Sequence, residues 1–139
     1  DCSENFFKYI FGVDNMKVML IEDDELTRST VKDALLSQSI EVVFDTPLVS
    51  EALNFAKKHR PEVAVIDYNL GPGPNGIDLA KSLRGVDPKI GIVLLTAFLN
   101  PTQLPTQISK LPNGSRYLIK HSVNDIGVLI REIEASISI

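Results

Sequence analysis

The sequence has little of several residue types, and each scarcity excludes a class of protein. A single cysteine, Cys2, excludes an internal disulfide and favours a reducing compartment. The formal net charge of −4 argues against nucleic-acid binding by this segment, because phosphate contacts need a basic face. No apolar run approaches the length of a membrane span. The N-terminus starts acidic and lacks the basic region of a signal peptide, so we expect a cytoplasmic protein or fragment without membrane association.

The remaining composition is typical of one globular domain. The chain has 139 residues, of which 44% are hydrophobic and 23% charged, enough to build a single core. Residues 1–15 stand apart, because four of the nine aromatic residues precede Met16. This segment is either a poorly ordered addition or a short helix, capped by Ser3, that docks on the domain or on a second copy of it. We therefore divide the chain into an extension, residues 1–15, and a domain, residues 16–139.

Short apolar runs alternate with helical patterns from residue 17 onward. We predict strands at 17–22, 40–44, 63–67, 90–96 and 115–120. Between them we predict helices at 26–36, 47–60, 76–83 and 101–111, and a fifth helix closes the chain. This alternation predicts an α/β fold of the (βα)₅ type, in which helices cover both faces of a doubly wound parallel sheet.

Local signals set the predicted helix boundaries. Thr46 has the character of an N-cap, with Pro47 in the first helical position. Pro105 interrupts the fourth helix because it lacks an amide donor. Ser122 and Asp125 resemble a capping box at the start of the fifth helix. The apolar stripe of that helix comprises Ile126, Leu129, Ile130, Ile133 and Ile137.

Polar residues follow four of the five predicted strands. In a parallel sheet these strand ends share one edge, so we expect the side chains to converge. Each alone has an ordinary interpretation as a turn former, a helix cap or a solvated side chain, and only the shared edge favours a functional site. They are Glu22, Asp23 and Asp24 after the first strand, Asp67 after the third, Thr96 after the fourth and Lys120 after the fifth.

Such a cluster indicates phosphoryl chemistry. Carboxylates gathered at one site repel, so either one is protonated or a cation lies among them. With oxygen ligands and no His or Cys nearby, Mg²⁺ is the natural ion, since it binds few carboxylates and works with phosphate oxygens. A hydroxyl from Thr96 and an ammonium from Lys120 suit a phosphoryl group, and Asp67 is placed to attack phosphorus and form an aspartyl phosphate. Asp24 is better explained as the cap of the first helix than as a ligand.

Four short segments in this order and strand context resemble the receiver domain of two-component response regulators. They are I-E-D-D, V-I-D-Y-N-L, L-L-T-A and Y-L-I-K, and the resemblance covers about residues 16–139. It implies a flavodoxin-like, five-stranded parallel sheet with strand order 2-1-3-4-5. It also implies that the domain transfers and hydrolyses its own phosphoryl group and is not an enzyme that turns over a separate substrate.

The resemblance also assigns roles and partners. The phosphoryl donor would be a sensor histidine kinase or a histidine phosphotransfer domain. Phosphorylation would change the surface of the fourth helix, fifth strand and fifth helix. A homodimer could form through that surface or through residues 1–15. The pattern L-P-N-G-S-R-Y-L-I-K resembles receivers joined to DNA-binding domains, which predicts control of transcription by a domain outside this sequence. The implied site comprises Asp67 as phosphoacceptor, Glu22, Asp23, Asp67 and the Asn69 backbone carbonyl as Mg²⁺ ligands, Thr96, Ala97 and Lys120 as phosphate-binding residues, and Thr96 with Tyr117 as the switch.

Three departures from the family pattern keep alternatives open. His121 follows the lysine where the family usually has proline, the loop from Asp67 to Gly76 is one residue longer, and Pro105 shortens the fourth helix. A phosphorylation-independent interaction module, or pseudo-receiver, is therefore one alternative. A phosphatase of the haloacid-dehalogenase type is another, but it would need a D-x-D pair where this chain has Asp67-Tyr68-Asn69.

Overall fold

Five strands alternate with five helices in the computed structural model, which describes residues 16–71, 75–97, 102, 104–120 and 126–137. Residues 1–15, His121 and the predicted capping box of Ser122 and Asp125 lie outside the described residues. The elements, in chain order, are β1 Lys17–Ile21, α1 Glu25–Ser37, β2 Glu41–Thr46, α2 Val49–His59, β3 Val63–Asp67, α3 Gly76–Val86, β4 Gly91–Thr96, α4 Leu104–Ile108, β5 Arg116–Ile119 and α5 Ile126–Ile137.

The strands form one sheet in the order β2-β1-β3-β4-β5, and every neighbouring pair is parallel. This confirms the predicted fold class and strand order. Every residue of β3 and β4 is buried, as expected of central strands that helices cover on both faces. Among the described helices, none is both long and apolar enough to cross a membrane.

Two apolar layers lie on opposite faces of the sheet, because successive strand residues point to opposite sides. On one face, Val65 and its neighbours pack against α1 and α5, which contribute Leu35 and Ile133. On the other, Ile66 and its neighbours pack against α2 and α3, which contribute Ala56 and Leu83. The two layers hold the carboxyl ends of β1, β3 and β4 at one rigid edge.

Of two predicted helix N-caps, one is confirmed and the other is wrong. Asp24 caps α1 as predicted, since its carboxylate accepts a hydrogen bond from the Thr27 amide at 2.8 Å. The prediction of Thr46 as the N-cap of the second helix was wrong, because Thr46 still belongs to β2 and α2 begins at Val49. The Thr46 hydroxyl instead accepts from the Leu48 amide at 3.1 Å and pairs with the Glu51 carboxylate at 3.0 Å. Thr46 therefore stabilises the turn between β2 and α2 from its position in the strand, without being the N-cap of the helix.

The last two helices also differ from prediction. Pro105 does not interrupt α4, because it is the second residue of a five-residue helix, where a helix needs no amide donor. The helix is shorter than the predicted range 101–111. In α5, Leu129 and Ile133 are buried as predicted, but Ile137 is exposed, and Ser136 is buried in its place. Its hydroxyl donates to the Ile133 carbonyl at 2.6 Å, which satisfies the buried oxygen.

Candidate functional site

Asp67 ends the central strand β3 and is almost entirely buried. The ladder continues one residue beyond it, because the Tyr68 amide donates to the Leu95 carbonyl at 2.7 Å. The loop then closes on α3, where the Gly76 amide donates to the Tyr68 carbonyl at 2.8 Å. A Cβ on Gly76 would collide with the Asp67 carbonyl oxygen, so only glycine allows this approach. Strand pairing on one side and a glycine contact on the other hold Asp67 in place.

The three consecutive acids begin one residue after β1 and have different surroundings. The Glu22 amide still donates to the Thr46 carbonyl of β2 at 3.1 Å, and the Glu22 side chain is fully buried. Its Oε1 accepts from the Asp24 amide at 3.1 Å. Asp23 and Asp24 are exposed, and hydrogen bonds from Thr27 hold the pKa of Asp24 below its usual value. The structure therefore places Asp24 as a helix cap and leaves Asp23 at the rim of the site.

Lys120 follows β5 and extends its side chain toward both buried acids. Its Nζ lies 3.1 Å from Glu22 Oε2, and it donates a hydrogen bond to Glu22 Oε1, also at 3.1 Å. The same Nζ lies 3.1 Å from Asp67 Oδ1. The lysine therefore bridges the carboxylates that follow β1 and end β3.

The acids and the lysine shift one another's protonation. Burial, and then the charge of Glu22, raise the pKa of Asp67 to about 7, although Lys120 acts in the opposite direction. Burial acts to lower the pKa of Lys120, but the hydrogen bond and charge of Glu22 outweigh it, and the pKa is raised overall. One cation thus only partly balances the acids, and the site retains excess negative potential.

Three carboxylates meet the requirements of a hard cation. Glu22, Asp23 and Asp67 each offer an oxygen, and these oxygens lie within 4.8 Å of one another. Within the part of the chain that the structure describes, Asp67 Oδ2 is buried and has no hydrogen-bond donor. A buried carboxylate oxygen without a donor is costly unless a cation or a ligand completes it. The oxygen-only donor set and this open oxygen fit Mg²⁺.

Thr96 ends β4, beside the strand that carries Asp67. Its side chain is buried, and its Oγ1 has no hydrogen-bond partner among the described residues. Ala97, the next residue, is exposed. The site edge therefore holds three buried side-chain oxygens without a hydrogen-bond partner among the described residues: Glu22 Oε2, which faces the Lys120 ammonium, Asp67 Oδ2 and Thr96 Oγ1. The Thr96 hydroxyl could donate to a bound anion.

The remaining two residues of the predicted site are Asn69 and Tyr117. The Asn69 amide donates to Asp67 Oδ1 at 3.3 Å, which places Asn69 next to Asp67, while the role of its carbonyl as a ligand stays a prediction. Tyr117 pairs with Leu94 in the ladder between β4 and β5, and 43% of its surface is exposed. It lines a surface groove of about 410 Å³ with Ile108 and Glu132, and its role as a switch stays a prediction.

Sequence reasoning missed one residue that contacts the acid segment. The Arg28 Nη1 donates to the Glu22 backbone carbonyl at 2.9 Å, and its Nε lies 3.4 Å from Asp45 Oδ2. An arginine one turn into the first helix is an ordinary surface residue by sequence. Only the position of α1 relative to β2 shows that it contacts both the acid segment and Asp45.

Comparison with known proteins gives one consistent family. The model of the response regulator receiver domain matches residues 18–126. The curated relatives include the DNA-binding transcriptional activator DevR/DosR of Mycobacterium tuberculosis, 31% identical over 121 residues, which cover 81% of this chain and 54% of that protein. Another is the transcriptional regulatory protein DesR of Bacillus subtilis, 28% identical over 79% of this chain and 53% of that protein. The chain thus spans about half the length of these two relatives.

Solved structures give the same result. The signal receiver domain of NarL from Mycobacterium tuberculosis is 26% identical, with a TM-score of 0.72, over 87% of this chain and 98% of that one. The response regulator domain of Thermotoga maritima CheB, at 18% identity, has a TM-score of 0.75 over 90% of this chain and 98% of that one, which shows a shared fold.

Proposed function

This chain belongs to the response regulator receiver domain family, and from that membership we propose that it accepts a phosphoryl group on Asp67. The donor would be a phosphorylated histidine, on a sensor histidine kinase or on a histidine phosphotransfer domain. The matching family is that of receiver domains and the two relatives are named as transcriptional regulators, which argues against the phosphatase alternative. Acceptance of the phosphoryl group would act as a signal and not as the turnover of a metabolite.

One observation carries this proposal: a buried carboxylate lies at the strand edge with one oxygen held and the other open. Asp67 Oδ1 is engaged by Lys120 and by the Asn69 amide, whereas Oδ2 has no donor in the described part of the chain. An acid that served only the fold would have both oxygens satisfied. The open oxygen is available to a reacting group or to a cation.

The transfer step follows from these positions. An Asp67 carboxylate oxygen attacks phosphorus and forms the new O–P bond, while the N–P bond of the donor breaks and its electron pair stays on the imidazole nitrogen. The Lys120 ammonium and the Thr96 hydroxyl would then balance the charge of the phosphoryl oxygens. The Ala97 amide would lie beside them. Asp67 must be ionised to attack, but its pKa is raised. Neutralising the charge of the neighbouring acids would lower that pKa, so this neutralisation is part of the reaction.

A divalent cation completes the charge balance. Once Asp67 is ionised, Glu22, Asp23 and Asp67 carry three negative charges against the one positive charge of Lys120, before a phosphoryl group adds more. Mg²⁺ would be held by these carboxylates with the Asn69 carbonyl, and when bound it supplies positive charge to the phosphoryl oxygens. In its absence the three acids oppose the arrival of any anion.

The consequence of phosphorylation would reach the surface through β4 and β5. Thr96 pairs with Ile119 in this ladder, and Tyr117 lies two residues earlier on the same exposed strand. Movement of the Thr96 hydroxyl toward a phosphoryl group would leave space that Tyr117 could fill, changing the surface of α4, β5 and α5. That surface is a candidate contact for a second copy. The relatives' names support transcription as the output, through a part of the protein outside this sequence.

The experiment is binding of beryllium fluoride, a mimic of a phosphoryl group on a carboxylate, followed by two-dimensional NMR. Titration with and without Mg²⁺ would be compared for the parent, for Asp67→Asn and for Asp33→Asn, which alters an exposed acid of α1. We expect Mg²⁺-dependent shifts around residues 96 and 117 in the parent and in the Asp33 variant, and none in the Asp67 variant. A small phosphodonor should add one phosphoryl group by mass under the same conditions.

The opposite outcome is equally clear. If the parent and the Asp67→Asn variant respond alike, the chain is a pseudo-receiver and Asp67 is not an acceptor. If a generic phosphate ester is turned over many times, the phosphatase alternative is correct instead.

A further inference from the structure

Both backbone groups of Glu22 are held by residues outside the acid cluster. The amide of Glu22 donates to Thr46 of β2, as strand pairing requires. Its carbonyl accepts from Arg28 Nη1 at 2.9 Å. Because a peptide unit is planar, holding this carbonyl also orients the Asp23 amide and limits the directions that the Asp23 side chain can take.

Arg28 is itself held in place. Its Nε lies 3.4 Å from Asp45 Oδ2, and Lys32 Nζ lies 3.0 Å from the other oxygen, Oδ1. Asp45 belongs to β2 and both cations to α1, so this group joins the helix to the strand. The Arg28 side chain is mostly buried, at 18% exposure, whereas that of Lys32 is 40% exposed. A mostly buried guanidinium with one hydrogen-bond acceptor and one paired carboxylate has a defined orientation, because its donors form a planar fork.

We infer that Arg28 is a positioning residue that sets the Mg²⁺ affinity of the site by holding the Glu22–Asp23 peptide, with Asp45 holding Arg28. This inference rests on the proposed function, since it needs a metal at the acid cluster. Asp23 is the exposed acid of the three, so of the three it has the least support from surrounding packing. Its orientation therefore depends most on the backbone to which it is attached. Residues that orient ligands affect metal affinity even though they do not touch the metal.

The chain offers a matched control. Lys32 lies on the same helix, and its hydrogen bond and its ion pair are both to the same Asp45. Arg28→Met and Lys32→Met each remove one positive charge and one contact to Asp45. Only the Arg28 variant releases the Glu22 carbonyl. Loss of a positive charge near the acids by itself favours Mg²⁺, so weaker binding in the Arg28 variant reports the lost contact and not the charge.

The test is isothermal titration calorimetry with Mg²⁺ alone, together with phosphorylation by a small phosphodonor across a range of Mg²⁺ concentrations. We expect the Mg²⁺ dissociation constant to rise by about 3- to 10-fold in Arg28→Met and by less than about 2-fold in Lys32→Met. Saturating Mg²⁺ should return the phosphorylation rate of Arg28→Met to near the parental value, because the reacting groups are intact. Asp45→Asn should weaken Mg²⁺ binding in the parent but add little in the Arg28→Met background.

Each contrary result has a separate meaning. Equal Mg²⁺ affinities for the Arg28 and Lys32 variants would overturn the inference. A low phosphorylation rate of Arg28→Met that saturating Mg²⁺ fails to restore would overturn it as well. Either result would leave the proposed function standing. Absence of Mg²⁺ binding by the parent protein would overturn both. Circular dichroism melts without metal would show whether each variant is folded, and a variant that is not folded is replaced by Arg28→Gln, for which the same outcomes apply.

Discussion

The Lys120 ammonium and the Glu22 carboxylate are separated by 98 residues in the chain, yet they form a contact of 3.1 Å at the site edge. Glu22 is fully buried, and Lys120 is its cationic partner among the described residues. Removal of one member of a buried ion pair leaves the other without compensation, which is far more costly than loss of a surface pair.

Lys120→Met should therefore lower the free energy of unfolding by about 2–4 kcal/mol at pH 8 without metal. Added Mg²⁺ should recover part of the loss, because it supplies positive charge to the same acids. Urea unfolding with and without Mg²⁺ measures both effects. Lys81→Met, on the exposed side of α3, should change stability by less than about 0.5 kcal/mol. Equal losses for the two variants would contradict the role of Lys120 as counter-charge.

Asp67 should make the metal-free protein less stable as pH rises. Its pKa in the folded protein is about 7, above the ordinary value of the unfolded chain, so the folded state binds this proton more tightly. Stability from this group is present at low pH, falls between about pH 4 and about pH 7, and stays low above that range. Asp67→Asn should remove this dependence and be more stable than the parent at pH 8 by about 1–4 kcal/mol.

Thermal or urea unfolding between pH 4.5 and 8 checks this prediction. Asp33→Asn, at an exposed position of α1, is the control and should follow the parent curve. A parental profile that matches that of Asp67→Asn would show that burial does not strain this carboxylate.

Thr96→Val should separate stability from phosphoryl binding. The substitution keeps the shape of the side chain and removes a buried hydroxyl that has no partner among the described residues, so the metal-free protein should gain up to about 1 kcal/mol. In the proposed function the same change removes a hydrogen-bond donor to the phosphoryl group, so beryllium fluoride affinity should fall about 10-fold. Thr30→Val, on the exposed face of α1, should change neither quantity. Destabilisation by Thr96→Val would indicate that the hydroxyl has a structural partner.

Two glycines of α3 should respond in opposite directions to alanine. A Cβ at Gly76 would meet the Asp67 carbonyl and Leu94, so Gly76→Ala should destabilise by at least about 2 kcal/mol and disturb Asp67. At Gly85 the added Cβ meets nothing within 4 Å, and Gly85→Ala should stabilise by about 0.5–1 kcal/mol through helix propensity. Thermal unfolding of both variants is sufficient. A Gly76→Ala variant as stable as the parent would show that the loop can move away from α3.

Much of the fold could be predicted because its signals are local. The apolar run Val63–Ile66, which ends in Asp67, is long enough to mark a strand. The alternation of strands and helices predicts a parallel sheet, which places Asp67, Thr96 and Lys120 at one edge. The cap at Asp24 was predictable for the same reason, since a capping carboxylate acts within one helical turn.

The predictions that failed concern residues whose roles depend on three-dimensional context. Thr46 is of a residue type common at helix N-caps. Its pairing with β1 keeps it in β2, however, and the helix starts later. Pro105 is a helix breaker in an interior but not in a first turn, and the sequence pattern did not show which turn it occupied. Arg28 could not be predicted because its acceptors lie on two different segments, one of them a backbone carbonyl.

Lys120 follows the other site residues in the sequence, which has a consequence for synthesis on the ribosome. Strands β1, β3 and β4, with Glu22, Asp67 and Thr96, have all been made by residue 96, whereas the lysine that compensates the acids comes 24 residues later. A nascent chain that assembled β1, β3 and β4 early would bury two acids with no ammonium between them, which opposes stable closure of that edge. The emerging chain should therefore complete its acidic edge only once β5 is available.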